Sequence, residues 1–299
     1  MLLSVIVPIY NEEEIIASTF STLEKELADV EHELIFVNDG STDNTRSILE
    51  ALLEHTPQNK LINFSRNFGH QAAFSAGMQH AIGKAIVIID GDLQDPPSLI
   101  HEMLQKWKEG YQVVYAQRKK RRGESLFKKT SAFLFYRIIH FLTNIEIPPD
   151  TGDFRLMDRV VVDQLNKLPE RSRFLRGLVC WIGFKKTGVL YERAERKAGV
   201  SKYPFRKMFR LAIDGITSFS TTPLKISFLI GLFTTMVSFV VLVWSIYEKF
   251  THPETTVPGW ASLMTTIIFF GGVQLIFIVI LGEYIGRIYD EVKQRPLYI

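Results

Sequence analysis

Two long uncharged apolar runs, Ile226–Tyr247 and Trp260–Leu281, constrain this chain more than any other feature. Each is long enough to cross a hydrocarbon core about 30 Å thick as an α-helix. Backbone amides in lipid must bond within their own segment, so helices are the expected form. A pair of buried helices in a soluble core is the competing reading, but such helices rarely run so far without a charge. Lys202, Arg206, Lys207, Arg210 and Lys225 precede the first run, and Arg287, Lys293 and Arg295 follow the second. Positive flanks of this kind face the cytoplasm. The expectation is a multi-pass protein of the inner (plasma) membrane, with the region before the spans and both termini cytoplasmic. Trp244, Tyr247 and Trp260 stand where an interfacial aromatic belt belongs. Met1–Glu14 lacks the basic start of a signal peptide, and its apolar stretch ends in acids.

Upstream of about Ser220 the pattern changes. Short β-branched runs are expected to be strands at Leu2–Pro8, Glu33–Val37, Lys60–Phe64, Ala85–Ile89 and Gln112–Ala116. Helical segments are expected from Asn11 onward and at Asp43–Leu53, Gln71–Ile82 and Pro97–Lys108. This alternation predicts an α/β domain, Rossmann-like, with a mainly parallel sheet covered by helices on both faces. Ligands in such sheets bind beyond the carboxyl ends of the strands. Asn38-Asp39, Ser65-Arg66-Asn67 and Asp90-Gly91-Asp92 all fall at those ends. The net charge is only +3, so bulk charge does not call for nucleic acid. Cys180 is the single cysteine, which excludes an intrachain disulfide and suits a reducing compartment.

Asp90-Gly91-Asp92 carries the clearest chemistry. Alternate residues of an extended chain point the same way, so both carboxylates can reach one cation. Their hard oxygens suit Mg²⁺ or Mn²⁺, which also binds a diphosphate and offsets charge on a departing nucleoside diphosphate. Gln94 would complete the shell or orient a ligand. Two turn aspartates are the plain alternative, but the apolar strand before and Asp95-Pro96-Pro97 after narrow the pattern. Asp39 can accept hydrogen bonds from a nucleobase or ribose, or cap the segment from Asp43. No glycine-rich dinucleotide or P-loop signature follows the first strand. His70 and His80 are expected to be structural, since no zinc pattern surrounds them.

Val7-Pro8-Ile9-Tyr10-Asn11-Glu12, Asn38-Asp39-Gly40-Ser41-Thr42-Asp43 and Asp90-Gly91-Asp92-Leu93-Gln94-Asp95-Pro96-Pro97 resemble the successive motifs of family 2 glycosyltransferases of the GT-A fold. Ser65-Arg66-Asn67-Phe68-Gly69-His70, Thr151-Gly152-Asp153-Phe154-Arg155-Leu156 and Gly199-Val200-Ser201-Lys202-Tyr203 resemble the subgroup that makes polyprenyl-phosphate sugars. That subgroup includes dolichyl-phosphate mannose synthase and bactoprenol glucosyltransferases of the GtrB type, whose two C-terminal spans this chain shares. The resemblance implies an enzyme, a metal-dependent hexosyltransferase. Pro8, Tyr10, Glu12, Asp39 and Asp90 would hold the nucleotide, and Asp90, Asp92 and Gln94 the metal. Asp153 and Asp92 are the expected catalytic residues, with Arg155 and Ser201 beside them. Asp153 matches the acid proposed as base in GtrB-like enzymes. Yet a phosphate monoester, with its second pKa near about 6, is largely a dianion at neutral pH and needs little deprotonation. Asp153 therefore has a second possible role, positioning the sugar, Arg155 or the metal. The expected reaction is in-line displacement with inversion.

Bringing a dianionic lipid headgroup to an anionic donor requires cations. Arg118–Arg122 form a basic run, which Lys128, Lys129, Arg137 and Lys202 extend. The family pattern favours Arg118, Lys129 and Lys202 as ligands of the acceptor phosphate; the others read as a solvated or lipid-facing patch. Segments 124–143 and 201–222 mix aromatic and basic residues at helical spacing, as a helix lying in the membrane interface does. The expected division is a catalytic domain over 1–200, a juxtamembrane helix over 201–222, and a two-helix membrane region with a cytoplasmic tail over 223–299. Expected partners are a UDP-type nucleotide sugar, undecaprenyl or dolichyl phosphate, the bilayer, and further copies of the chain as a homo-oligomer; nucleic acid is not expected. Glucose is the favoured sugar, and the product a polyprenyl-phosphate-linked monosaccharide for cell-envelope glycosylation. A processive polysaccharide synthase is the rival enzyme, but its QxxRW motif is missing and two spans are few. A non-catalytic membrane scaffold is the other rival, and Asp39, Asp90 and Asp92 all being present argues against it.

Overall fold

The computed structural model describes residues 2–119, 148, 151–171, 173–192, 217, 219–251 and 259–299. The chain divides into two compact units. The first is the α/β domain, which also includes Arg295–Ile299; the second is Ile216–Gln294. The segment after the second long helix thus packs with the α/β domain rather than with the helices that lead to it.

In the first unit, β1 (Leu3–Ile9), β2 (His32–Asn38), β3 (Lys60–Asn63), β4 (Ala85–Ile88) and β5 (Val113–Arg118) lie where the apolar runs predict strands. So do the helices α1 (Ile16–Glu26), α2 (Thr45–Leu53), α3 (His70–His80) and α4 (Leu99–Lys108). Downstream come β6 (Thr151–Asp158), α5 (Arg159–Lys167), α6 (Leu175–Trp181) and β7 (Lys186–Tyr191), none of which the periodicity had indicated. The seven strands are ordered β3-β2-β1-β4-β6-β5-β7. β6 enters between β4 and β5 and runs antiparallel to both, while the other neighbours are parallel. Its reversed direction brings its first residues, not its last, to the rim where the parallel strands end. That is how Thr151-Gly152-Asp153 joins Asp90-Gly91-Asp92.

Every residue of β1 is buried, which is why the strand, with Ser4 its one polar residue, reads as a nearly continuous apolar run rather than an alternating one. Leu3, Val5 and Val7 pack with Ile16 and Leu23 of α1, Leu49 of α2 and Met103 of α4 on one face of the sheet. The other face receives α3 so closely that a Cβ on Gly77 would lie 2.3 Å from Ile6 Cγ2.

In the second unit, α7 (Thr222–Thr251) and α8 (Trp260–Val292) contain 30 and 33 residues. At about 1.5 Å per residue both exceed a hydrocarbon core in length. The stretches apolar enough to span are Thr222–Val241 and Phe269–Val292, with mean hydropathy 2.0 and 1.8 and none of either buried by protein. The second lies further along the chain than the uncharged run that marks it in the sequence. Tyr284 donates its hydroxyl hydrogen to Ser220 O at 2.6 Å, tying α8 to the start of α7 within this unit.

Candidate active site

The rim begins with two interlocked loops. After β1, Asn11 takes the left-handed conformation at φ 53°, which asparagine tolerates better than most residues. Its amide donates to Ser41 Oγ at 3.0 Å, and its side-chain oxygen accepts from Thr42 N at 2.8 Å. Glu12 N donates to Thr45 Oγ1, and Asn44 N to Glu13 Oε2, both at 3.0 Å. These bonds fix the Tyr10–Glu12 loop against the loop after β2. Tyr10 is half exposed at the mouth, whereas Pro8 is buried within β1 opposite Val37.

Asp39 follows β2 and is buried. Its carboxylate accepts from Phe68 N at 2.7 Å and Gly69 N at 3.0 Å, binding the loop after β3. Burial raises its pKa, and the two amides and His70 only partly oppose that. Gly40 at φ 68° lets the chain turn under this loop, where a Cβ would stand 2.2 Å from the Arg66 carbonyl carbon. Asp39 therefore organises the loop after β3 as well as facing the rim.

At the end of β4, Asp90 and Asp92 flank Gly91. A Cβ on Gly91 would meet Ile9 Cδ1 at 2.3 Å, so glycine lets the turn sit down on β1. Asp92 Oδ1 accepts from Gln94 N at 3.1 Å, and Gln94 is largely buried. Asp90 Oδ1 is buried, receives no well-aligned hydrogen bond, and lies 3.1 Å from His70 Nε2. No cluster of three or more His, Cys, Asp or Glu side chains able to hold a metal occurs among the described residues. Two carboxylates suit a hard cation that takes its remaining ligands from substrate phosphate and water. Asp90 and Asp92 fit that pattern.

His70 is the site residue that its sequence context did not reveal. It stands at the start of α3 between two acids, 3.1 Å from Asp90 Oδ1 and 4.0 Å from Asp153 Oδ2. Burial works against the imidazolium, but Asp90 and Asp153 outweigh it and raise the pKa. Arg176, on α6, is the second. It holds Asp153 through two hydrogen bonds of 2.8 Å, in a fork that matches a carboxylate. Leu175 N in turn donates to Gln71 Oε1 at 3.0 Å, so α6 is tied to the start of α3. Burial opposes ionisation of Asp153, yet Arg176, Arg155 and His70 hold its carboxyl well below the usual range. Arg155 is buried and donates to Gly152 O and to the Asp153 carbonyl.

Arg118 ends β5 and donates to the Tyr191 hydroxyl at 3.1 Å, while that hydroxyl donates to Asp95. Burial and the Asp95 carboxylate push the Tyr191 pKa up to about 12. Burial also opposes the Arg118 charge, but Tyr191 and Asp95 more than compensate. A Cβ on Gly152 would sit 3.2 Å from Arg118 Nη2, so this guanidinium lies against the Thr151-Gly152-Asp153 turn. Lys129, Ser201 and Lys202, with segments 124–143 and 201–216, lie outside the described residues.

Known proteins share this organisation. Residues 4–165 match the family described as Glycosyl transferase family 2, and residues 222–288 match the GtrB C-terminal hairpin. The chain is 52% identical over 302 residues to the uncharacterized glycosyltransferase YkcC of Bacillus subtilis, covering 99% of this chain and 92% of that one. It is 47% identical over 299 residues to the uncharacterized glycosyltransferase sll0501 of Synechocystis, with 99% and 94% covered. The bactoprenol glucosyl transferase of Shigella phage SfII is 45% identical over 301 residues, with 100% and 97% covered. The mostly parallel sheet, with its acidic turn after β4, is the GT-A fold. Matches that run through both units leave one assignment: the chain belongs to glycosyl transferase family 2.

Proposed function

We propose that the protein transfers glucose from UDP-glucose to a polyprenyl phosphate, undecaprenyl phosphate being the favoured acceptor, with inversion at the anomeric carbon. The observation that carries this reading is the convergence of Asp39, Asp90 and Asp153 on one rim, with His70 beside both Asp90 and Asp153 and the neighbouring Gly69 amide bound by Asp39. Identity of 45% to a bactoprenol glucosyl transferase over the whole chain supports the sugar and the carrier. Asp39 and the Tyr10–Glu12 loop receive the nucleotide. Asp90 and Asp92, with Gln94 behind them, would hold Mg²⁺ or Mn²⁺, which supplies charge neutralisation at the leaving diphosphate. Arg118 stands at the acceptor side, where a cation offsets repulsion between the two phosphates. Lys129 and Lys202 are proposed to join it there.

Asp153 positions rather than abstracts. Its carboxylate is engaged by Arg176 and held far from neutral pKa values, which makes it a weak base. The acceptor phosphate, largely dianionic at neutral pH, attacks without help from a base. Basic residues on the outer flanks of both spans favour a cytoplasmic catalytic domain and cytoplasmic termini.

The test incubates the purified protein with undecaprenyl phosphate, Mn²⁺ and a panel of nucleotide sugars. The lipid product is identified by mass and its anomeric configuration assigned. Glucose carried on the lipid with inverted configuration is the expected result. A product with retained configuration, or none with any sugar, would overturn the proposal.

A further inference from the structure

The segment Arg295–Ile299 packs on the α/β domain through contacts that lead to Asp39. Tyr298 stacks on Phe64, with ring centroids 4.7 Å apart and planes 15° from parallel. Its hydroxyl donates to Gln79 Oε1 on α3 at 2.5 Å. One residue on, Ile299 O accepts from Ser65 N at 2.9 Å. Ser65 lies just past β3, the edge strand of the sheet, so this bond covers an amide that the sheet leaves unpaired. Phe64 is buried and meets Phe68 edge-on at 5.7 Å, and the Arg66 guanidinium lies 4.1 Å over the Phe68 ring. Tyr298, Phe64, Phe68 and Arg66 therefore form one continuous run of ring contacts. At its far end, Phe68 N and Gly69 N are the amides bound by the Asp39 carboxylate.

We propose that Tyr298 is a positioning residue for the nucleotide site. It clamps the Phe64–Gly69 loop from outside while Asp39 clamps it from within. The loop is short and contains Gly69 at φ 99°, a conformation open to few residues, so it needs both anchors to keep one shape. Its contact with Gly40 leaves no room for a small displacement to be absorbed, because backbone lies on backbone. Loosening Tyr298 should therefore free the Phe68 and Gly69 amides and leave Asp39 with worse partners. The affinity consequence rests on the proposed function, since it takes Asp39 as a nucleotide ligand; the structural consequence does not.

The experiment uses the full chain in detergent, comparing wild type with Tyr298→Ala, Tyr298→Phe and Tyr298→Leu. Amide hydrogen exchange is followed over residues 64–69, with β1 and β4 as internal references. In Tyr298→Ala, exchange over 64–69 should accelerate by roughly tenfold while β1 and β4 stay protected, as for a local opening. Tyr298→Phe keeps the stack and should behave as wild type. In parallel, the Kd for UDP with Mn²⁺ should rise roughly three- to tenfold in Tyr298→Ala, the range of one aromatic pair, with kcat at saturating donor little changed. Unchanged exchange over 64–69 would overturn the proposal. So would loss of protection spread evenly over β1 and β4, or a Tyr298→Phe variant as loose as Tyr298→Ala. If Tyr298→Ala does not fold, Tyr298→Leu keeps apolar cover over Phe64 and is judged by the same criteria. Wild-type protein that binds no UDP would sink the proposed function, and the exchange measurement would still decide the role of Tyr298.

Discussion

Arg176 grips Asp153 through two parallel hydrogen bonds of 2.8 Å, Nε to Oδ1 and Nη2 to Oδ2. The carboxylate is almost wholly buried and the guanidinium only partly so. Removing the arginine alone leaves a buried charge with only the longer contacts to Arg155 and His70, and breaking such a buried pair typically costs about 3 kcal/mol. Arg176→Ala should destabilise the catalytic unit by about that amount, read from thermal unfolding. Arg176→Lys keeps the charge but loses the fork, and should cost less stability while lowering kcat roughly tenfold. The double variant Arg176→Ala with Asp153→Asn should cost less than the sum, because the two residues act as a pair.

The same pair sets the pH behaviour of the reaction. The Asp153 carboxyl is held well below its ordinary range, so it is ionised throughout pH 5–8. An acid limb in kcat/KM within that window cannot come from its protonation. Asp153→Asn should lower kcat by roughly 10²-fold, as displacement of a positioning group does, and leave the shape of the profile unchanged. Loss of an acid limb in the variant would show that Asp153 serves as the base after all.

Most of the parallel half of the domain was legible in the sequence. β1, β2 and β4 are buried on both sides, so they read as largely apolar stretches rather than alternating ones, with Asn38 ending β2 and Asp90 following close on β4. The antiparallel β6 was not legible as a strand. Thr151–Asp158 mixes Asp153, Arg155 and Asp158 with apolar residues, and Arg155 is buried against backbone carbonyls rather than pointing to solvent. Arg176 was invisible for a related reason. It sits on a short helix, Leu175–Trp181, and nothing in its neighbours encodes a carboxylate 23 residues earlier in the chain. His70 was readable as part of a motif but not as a neighbour of Asp90, since only the packing of α3 on β1, the strand next to β4, brings them together. The link from Arg295–Ile299 back to the first unit likewise follows from packing alone.

The two carboxylates after β4 make a distinct prediction. If Asp90 and Asp92 share a divalent cation with the donor diphosphate, each is worth several kcal/mol of charge stabilisation. Asp90→Asn and Asp92→Asn should each reduce kcat/KM by roughly 10²–10³-fold. Chelation of divalent cations should abolish turnover in the wild type, and Mn²⁺ or Mg²⁺ should restore it. Calorimetry with UDP in the presence and absence of Mn²⁺ checks the binding step separately. Equal UDP affinity with and without Mn²⁺ would exclude a shared cation.

Gly40 offers a test of the loop beneath Asp39. It lies at φ 68°, where a side chain is strained, and its missing Cβ is what allows the Arg66 backbone to pass. Backbone strain of this kind costs of order 1–3 kcal/mol before the contact itself is counted. Gly40→Ala should therefore lower the unfolding temperature and raise KM for the donor more than it lowers kcat. A variant with wild-type KM would mean that the loop shifts without disturbing the nucleotide site.

Far from the rim, Glu33 should tie the stability of the domain to pH. It is buried at the start of β2, where it accepts from Ser4 Oγ at 2.5 Å and Ile82 N at 2.8 Å. Lys60 Nζ completes the set with an ion pair at 2.7 Å. Burial raises the cost of its charge, but the Ile82 amide, Lys60 and Ser4 together outweigh that and lower the pKa below 4.5. A carboxyl with a depressed folded-state pKa stabilises the native state above its unfolded value and loses that contribution as pH falls through the folded value. Glu33→Gln mimics the protonated acid. At pH 7 it should cost about 2 kcal/mol, the worth of hydrogen bonds to a charged acceptor. The gap between wild type and variant should then close as pH falls through the lowered folded-state value, because the wild-type residue itself becomes neutral there. Denaturant unfolding of both proteins between pH 7 and pH 3 measures this directly. A gap that stays constant across the range would show that packing at this position, not the Glu33 charge, holds β1, β2 and the Ile82 turn together.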